Sequence, residues 1–485
     1  MEAGKLKGKI VSGLFWSTIQ LLISRVFAFV IKLILARLLF PDQFGLVGMA
    51  TVFISFIQIL NDLGIGAALV QKKEENLTEL HYHTAFWAGI AWSVVIYLLI
   101  AFVAAPLAAQ FYKQPQLSTI IPVLGLGVLF NPINLVHRAQ LTKQMSFKKL
   151  AFINNASSIV AGVAAVILAL LGAGIWALVF NSVASTIIAV PLYFNATKWL
   201  PKFSWDKQAF NDVFSFGVYT MGTEFLTTLM LNFDYLLIGK LLSATALGVY
   251  TLAFVLTDTF RTQLTKMINR VMFPVYGQNQ DSKSTLKNVY FKVVKYNSIC
   301  VYPVMVFLIV LGEPFVVNYF GLKWVEAVIP LKILAFSVMI HLLVNSHSTL
   351  IRGLGKTNLE MRMQFLKAIL YLPTIALGIY WYGIIGAASA YVINKVLEVV
   401  IAQFYLKKFL GIRFSDVISA ISPPLTASVV AYVVTFVAYS YGVHYVVCAV
   451  LLGVSYSLVI WLMMKAELLK HLRSIKFLRK KTVAP

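Results

Sequence analysis

Residues 33–50 read LILARLLFPDQFGLVGMA, and residues 236–253 read LLIGKLLSATALGVYTLA. The two segments align without a gap at an offset of 203 residues. Each reads as the end of an apolar helix with one cation and two leucines, then a short break, then a new helix with a glycine in its first turns. Pro41 and Ala244 fall where the second helix begins, a position that tolerates a missing N–H. The sequence therefore predicts two copies of one structural unit.

The composition indicates a membrane protein. The chain has 485 residues, of which 60% are hydrophobic and 12% are charged, and its mean hydropathy is +0.82. A polytopic membrane protein needs that much apolar surface, whereas a soluble protein does not. The net charge of +23 is explained by Lys and Arg in cytoplasmic loops together with some buried cations. We expect no nucleic-acid partner, because the sequence contains no soluble basic domain.

Apolar segments near the roughly 20 residues that cross a bilayer recur along the chain. Fourteen spans are predicted, at 12–38, 44–70, 84–111, 118–139, 151–171, 174–196, 212–240, 245–273, 289–311, 325–350, 361–381, 384–406, 417–440 and 443–464. The connections alternate between a basic set and a short, nearly neutral set. The neutral connections are 41–43, 112–117, 172–173, 241–244, 312–324, 382–383 and 441–442. The positive-inside rule places the basic connections and both termini in the cytoplasm.

The two copies of the repeated segment are separated by six predicted spans. An even number gives both copies the same orientation, so the repeat is parallel and its axis lies along the membrane normal. We therefore expect an all-α polytopic fold with two pseudo-symmetric six-helix lobes, residues 1–200 and 201–410. Two extra helices in residues 411–465 and a basic cytoplasmic tail, residues 466–485, follow the lobes.

Cations within the predicted spans are candidates for substrate binding, because an ionisable group at mid-bilayer costs about 2.5–3.5 kcal/mol on insertion scales. Arg25 and Lys32 lie seven residues apart, on one face of the first span. One interpretation is a cationic stripe that lines a cavity for an anionic substrate such as a diphosphate. The other is snorkelling, or pairing with an acid on a neighbouring helix. Lys332 and Lys367 are further candidates for this cationic cavity.

Acidic residues occupy the matching helix of the second copy. Glu224 and Asp234 are candidates for an ion pair between the lobes or for binding a coupling H⁺ or Na⁺. Asp62 is a candidate for capping or for pairing with a cation near the cytoplasmic mouth. Asp258 and Arg261 are three residues apart and are expected to pair on their own helix, with a role in coupling as the alternative.

A second pair at the same spacing, Lys395 and Glu398, is expected to be satisfied within itself. His341 and His347 are weaker candidates for proton handling, the alternative being a structural hydrogen bond. We expect no resident cofactor and no metal. The only small ion considered is the coupling H⁺ or Na⁺.

Catalytic motifs are absent from the sequence. It contains no Walker A segment, no HExxH and no Gly-x-Ser-x-Gly elbow. Its predicted loops, none longer than about 20 residues, leave no room for a soluble catalytic domain. The chain is therefore expected to be a secondary transporter rather than an enzyme.

Three segments resemble a known family. Residues 35–46, LARLLFPDQFGL, are similar to the signature ARLLGPxxFGL, although Phe40 stands where the family often has glycine. Residues 60–71, LNDLGIGAALVQ, and 232–239, NFDYLLIG, are similar to other segments of the same family. The resemblance is to the Wzx-type polysaccharide flippases of the multidrug/oligosaccharidyl-lipid/polysaccharide exporter superfamily, in the branch of the colanic- and teichuronic-acid exporters.

The resemblance implies a V-shaped pair of six-helix lobes around a central cationic cavity. It also implies a cargo, an undecaprenyl-diphosphate-linked oligosaccharide, that moves from the cytoplasmic to the outer leaflet of a bacterial inner membrane by alternating access. Polysaccharide polymerase or assembly proteins are expected as further partners. A lipid II-type flippase and a drug antiporter of the same superfamily are the alternatives. A membrane glycan polymerase or ligase is the least favoured, because the outer loops are too short for its site.

Overall fold

The structure is a computed structural model of the whole chain. The residues that it describes are 26–61, 65–72, 77–214 and 218–482. Within these ranges every regular element is a helix. The chain divides into two compact units, Met1–Thr251 and Leu252–Pro485. The division of the sequence into two lobes, an added helix pair and a tail stays a prediction.

The first unit consists of long apolar helices joined by short connections. Its described helices are α1 (26–38), α2 (Pro41–Asn61), α3 (Ile65–Gln71), α4 (Glu79–Tyr112), α5 (Leu117–Lys143), α6 (Phe147–Leu170), α7 (Ile175–Thr197), α8 (Lys207–Phe214), α9 (Val218–Leu241) and the start of α10 (Ala244–Phe254). Pro41 is the first residue of α2 and Ala244 the first of α10, which confirms the helix starts predicted from the repeat.

The second unit begins within α10, which continues through a π-helical turn, Val255–Thr259. Its further helices are α11 (Phe260–Gln278), α12 (Lys283–Phe320), α13 (Val328–His341), α14 (His347–Gly353), α15 (Thr357–Leu410), α16 (Phe414–Ser440) and α17 (Tyr445–Thr482). Two 3₁₀ turns, Leu322–Ala327 and Leu342–Val344, flank α13.

Ten helical segments of the described residues are long and apolar enough to cross a membrane, so the chain is a multi-pass membrane protein. One of these segments, α15, has 54 residues and covers two predicted spans. Gly383 divides it, with a φ of 58° that a residue without Cβ adopts readily. The count of fourteen spans stays a prediction.

One predicted connection is helical in the structure. The neutral connection predicted at 312–324 is largely helical, because α12 continues to Phe320 and a 3₁₀ turn begins at Leu322. Val316 and Phe320 are buried, so packing of an apolar face extends the helix past its charged and proline residues. Within the predicted span 44–70, the structure describes helix at 44–61 and 65–70, and residues 62–64 lie outside the described ranges.

The two copies of the repeated segment touch each other inside the first unit. A Cβ built on Gly45 would lie 1.7 Å from the carbonyl oxygen of Ala244, and one built on Gly248 would lie 1.7 Å from that of Pro41. The backbones of α2 and α10 are therefore in direct contact at both glycines. The contact is reciprocal between equivalent positions, as expected for two copies related by a two-fold axis.

Candidate functional site

The candidate site lies in the second unit, on the two arms that Gly383 separates in α15. Near this turn the arms touch through their backbones, since a Cβ built on Gly386 would lie 1.8 Å from the carbonyl oxygen of Gly378. Farther along, Asn394 Nδ2 donates a hydrogen bond to Thr374 Oγ1 at 2.6 Å. The arms are thus antiparallel neighbours, and residues at similar distances from the turn face each other.

Glu398 is the centre of a largely buried cluster that this hairpin assembles. Its Oε1 accepts a hydrogen bond from Lys367 Nζ at 2.7 Å, across the two arms. Its Oε2 accepts one from Lys395 Nζ at 3.0 Å, one turn away on the same arm. Nδ1 of His341, at the end of α13, lies 3.2 Å from the same oxygen. One carboxylate therefore forms ion pairs with two ammonium groups and lies beside one imidazole.

The predicted pairing of Lys395 with Glu398 is confirmed, but the pair is not self-contained. Their ion pair is present, but Lys367 and His341 share the same carboxylate. The contact between Lys367 and Glu398 could have been predicted from the sequence, because the predicted connection at 382–383 makes α15 a hairpin. Lys367 and Glu398 lie at nearly equal distances from that turn, and antiparallel arms bring such residues together.

The two histidines lie on either side of a break in the helix. α13 ends at His341, α14 begins at His347, and the 3₁₀ turn Leu342–Val344 lies between them. His347 Nδ1 lies 2.5 Å from the carbonyl oxygen of Val344, and its Nε2 lies 3.3 Å from Lys367 Nζ. His347 thus contacts the backbone of the 3₁₀ turn through Nδ1 and adds a second imidazole to the cluster through Nε2.

Asp258 and Arg261 form a second buried pair, at the π-helical turn. Arg261 Nε and Nη2 donate to Asp258 Oδ1 at 2.9 and 2.6 Å, and Thr262 Oγ1 donates to Oδ2 at 2.8 Å. The predicted pairing on one helix is confirmed. Lys395 attracts the Asp258 carboxylate and Glu398 attracts the Arg261 guanidinium, so the two groups are electrostatically linked.

The Glu398 cluster and the Asp258–Arg261 pair together carry more positive than negative charge. Among the described residues, their cations are Lys367, Lys395 and Arg261, and the carboxylates with which these cations form ion pairs are those of Asp258 and Glu398. With the imidazoles neutral, the net charge is positive. Among the described residues no group of three or more His, Cys, Asp or Glu side chains is arranged to hold a metal ion. The chemistry that this arrangement favours is the binding of an anion.

Other predicted residues lie away from this cluster. Lys332 Nζ lies 3.5 Å from Glu313 Oε2, with 36% of its side chain exposed. Asp234, in the first unit, is buried and accepts a hydrogen bond from Tyr250 OH at 3.0 Å. Lys32 is exposed on α1, also in the first unit. Of the predicted cavity cations that the structure describes, only Lys367 joins the cluster.

Three further candidate side chains lie outside the part of the chain that the structure describes. Arg25 and Asp62 lie outside the described residues, and so does the side chain of Glu224, whose backbone belongs to α9. The roles assigned to these three residues from the sequence stay predictions.

Comparison with known proteins gives relatives of nearly the same length. The chain is 26% identical over 431 residues to the teichuronic acid biosynthesis protein TuaB of Bacillus subtilis, covering 88% of each protein. It is 24% identical over 438 residues to the lipopolysaccharide biosynthesis protein WzxC of Escherichia coli, covering 89% of this chain and 88% of the relative.

The fold also matches a solved structure. The lipid II flippase MurJ in an inward closed conformation superposes with a TM-score of 0.69 at 12% identity, covering 93% of this chain and 99% of that one. At such low identity the likeness shows a shared fold. Residues 34–329 match the family described as "Polysaccharide biosynthesis protein". That match covers more than half of the sequence, and the chain therefore belongs to the polysaccharide biosynthesis protein family.

Proposed function

We propose that this protein is a flippase for an undecaprenyl-diphosphate-linked oligosaccharide. It moves this lipid-linked precursor of a surface polysaccharide from the cytoplasmic to the outer leaflet of a bacterial inner membrane by alternating access. It carries out no covalent chemistry, and its N- and C-termini are cytoplasmic. The exporters of colanic and teichuronic acid are the branch to which we assign it.

The observation that carries this proposal is the positively charged cluster around Glu398 inside a membrane protein of this family. Burying an excess of cations in an apolar environment is costly unless an anion compensates them. A diphosphate supplies that anion, and the ammonium groups of Lys367 and Lys395 are suited to bind its oxygens. The names of the relatives, which refer to teichuronic acid and lipopolysaccharide, support a glycan cargo.

The chemistry of the site also favours this cargo over the alternatives. A drug antiporter for cationic compounds is expected to present carboxylates, whereas this cluster presents more cations than carboxylates. A lipid II-type flippase also takes a diphosphate, and the fold shared with MurJ favours it as the second candidate. The two lipid cargoes differ in the groups attached to the diphosphate and share the diphosphate that the cluster is proposed to bind.

The proposal is tested by deleting the gene and analysing the lipid carriers. We expect undecaprenyl-linked oligosaccharide to accumulate on the cytoplasmic face and the surface polysaccharide to be lost, with both effects reversed by the intact gene. Normal export without accumulation would contradict the proposal. Accumulation of lipid II instead, with arrest of cell-wall synthesis, would identify the second candidate.

A further inference from the structure

We propose that Lys367 and Lys395 form a binding site for a phosphate group of an anionic lipid head, and that Glu398 is the resident counter-ion which this phosphate displaces. The proposal rests on the flippase function above and adds to it the residues of the anion site and the counter-ion that stabilises its lysines before the anion binds.

The first argument is the distribution of charge. Arg261 donates to one carboxylate oxygen of Asp258 through Nε and Nη2, so this pair contributes one charge of each sign. Glu398 brings one negative charge to two ammonium groups, Lys367 and Lys395. Among the described ion pairs of the cluster, three cations therefore meet two carboxylates, and the excess positive charge attracts an incoming anion of charge −1 or −2.

The second argument is the match of acceptors. The two oxygens of Glu398 already hold the lysines at 2.7 and 3.0 Å, the distances of charge-assisted hydrogen bonds. In a lipid-linked diphosphate each phosphate has two non-bridging oxygens and one negative charge, so the two phosphates together offer four acceptor oxygens and more negative charge than one carboxylate. The diphosphate can therefore accept hydrogen bonds from both lysines in place of Glu398.

The third argument is access and freedom of movement. The side chains of Lys367, Lys395 and Glu398 are 13%, 17% and 12% exposed, so the cluster is largely buried without being sealed. Lysine has a flexible four-carbon stem and three rotatable donors, which lets the ammonium groups follow a new acceptor. His347 and the ring of Tyr391 lie beside the two ammonium groups and provide secondary contacts during the exchange.

The experiment measures binding to the full-length protein in lipid nanodiscs, with undecaprenyl diphosphate and inorganic pyrophosphate as separate probes. Lys367→Met and Lys395→Met are each expected to weaken undecaprenyl diphosphate binding about 10-fold or more, because each removes a charge-assisted hydrogen bond. Glu398→Gln is expected to tighten binding about 10-fold, since it removes the competing negative charge. Unchanged binding in the lysine variants, or weaker binding in Glu398→Gln, would overturn the proposal.

The matched control is another ion pair of the second unit, Lys295 with Glu467. Its nitrogen and oxygen are also 2.7 Å apart, and the Lys295 side chain is 17% exposed. Lys295→Met and Glu467→Gln are expected to leave the affinity for undecaprenyl diphosphate unchanged. An equal loss of affinity in these variants would mean that the loss reflects general destabilisation, which contradicts the proposed site.

A double variant keeps the test decisive if Glu398→Gln folds poorly. Lys367→Met combined with Glu398→Gln removes one charge of each sign, so folding is expected to recover, as monitored by size-exclusion chromatography. Because one loss and one gain of about 10-fold nearly cancel, the proposed site predicts an affinity for undecaprenyl diphosphate close to that of the wild type in this double variant. Adding Lys395→Met is then expected to lower the affinity about 10-fold or more below that of the double variant, and unchanged affinity in the triple variant would overturn the proposal.

The two probes separate the sources of the anion. Lysine-dependent binding of undecaprenyl diphosphate supports the lipid head group, whereas lysine-dependent binding of pyrophosphate alone would overturn the lipid assignment. Wild-type transport with intact binding in all lysine variants would overturn the site and leave the flippase function standing. Lysine-dependent binding without any accumulation of lipid-linked sugar in the deletion strain would count against the flippase instead.

Discussion

Buried ionic groups in the second unit are held by specific partners at close range. Asp258 receives two bonds from Arg261 and one from Thr262, so both of its oxygens are engaged. Both members of the ion pair are buried. A buried ion pair contributes little net stability compared with an apolar pair, but removal of one partner leaves the other charge uncompensated.

Asp258→Ala is therefore expected to destabilise the protein by about 3–5 kcal/mol, the usual cost of breaking a buried ion pair. Thermal unfolding of the purified protein in detergent measures this loss. The matched control is the double variant Asp258→Ala with Arg261→Met, which removes both charges and is expected to recover most of the stability. An equally unstable double variant would show that the charge of Arg261 is not the cause.

The double variant also separates the two roles considered for this pair. If Asp258 and Arg261 only stabilise the helix turn, the stable double variant transports normally. If they couple transport to an ion gradient, the double variant is expected to fold and to lose the dependence of transport on that gradient.

Among the elements, the contact between α2 and α10 depends on glycine. The backbones meet at Gly45 and Gly248 at distances that exclude any side chain. Leu247 and Thr251 of α10 also pack near Gly48, one turn farther along α2. Close helix approach through small residues is a common way to join helices in membranes, where no hydrophobic driving force acts between them.

Gly45→Ala is expected to destabilise the protein by about 1–3 kcal/mol or more, because the new methyl group meets the Ala244 carbonyl oxygen. The matched control is Gly127→Ala in α5, where nothing lies within 4 Å of the added Cβ. That change is expected to be neutral or to stabilise the helix by up to about 1 kcal/mol. Thermal unfolding in detergent compares the two, and equal stability of both variants would contradict the tight contact.

For the whole molecule, the orientation in the membrane follows from the charge of the connections. The predicted neutral connection 441–442 is expected outside, and the basic connection that contains Lys356 is expected inside. Tyr441 and Lys356 are both exposed in the structure, so a cysteine at either position is accessible to a reagent.

Cysteine labelling tests this orientation in a background without Cys300 and Cys448. A membrane-impermeant maleimide is expected to label Tyr441→Cys in intact cells and Lys356→Cys only after the membrane is permeabilised. Labelling of Lys356→Cys in intact cells would reverse the proposed orientation and the direction of transport with it.

The sequence alone determined those properties that depend on composition and local spacing. Hydropathy identified a multi-pass membrane protein, the repeat located the helix starts at Pro41 and Ala244, and the i,i+3 spacing identified the Asp258–Arg261 pair. These predictions succeed because helix periodicity and backbone chemistry act within a few residues. The signature around residues 35–46 identified the family for the same reason, since it is read along the chain.

Only the tertiary structure decided which distant residues meet. Lys367 and Lys332 look alike in the sequence, yet one binds Glu398 and the other lies beside Glu313. The hairpin at Gly383 and the helix break after His341 bring the cluster together. Such contacts depend on how whole helices pack, and the energy of that packing is spread over many side chains that no local pattern records.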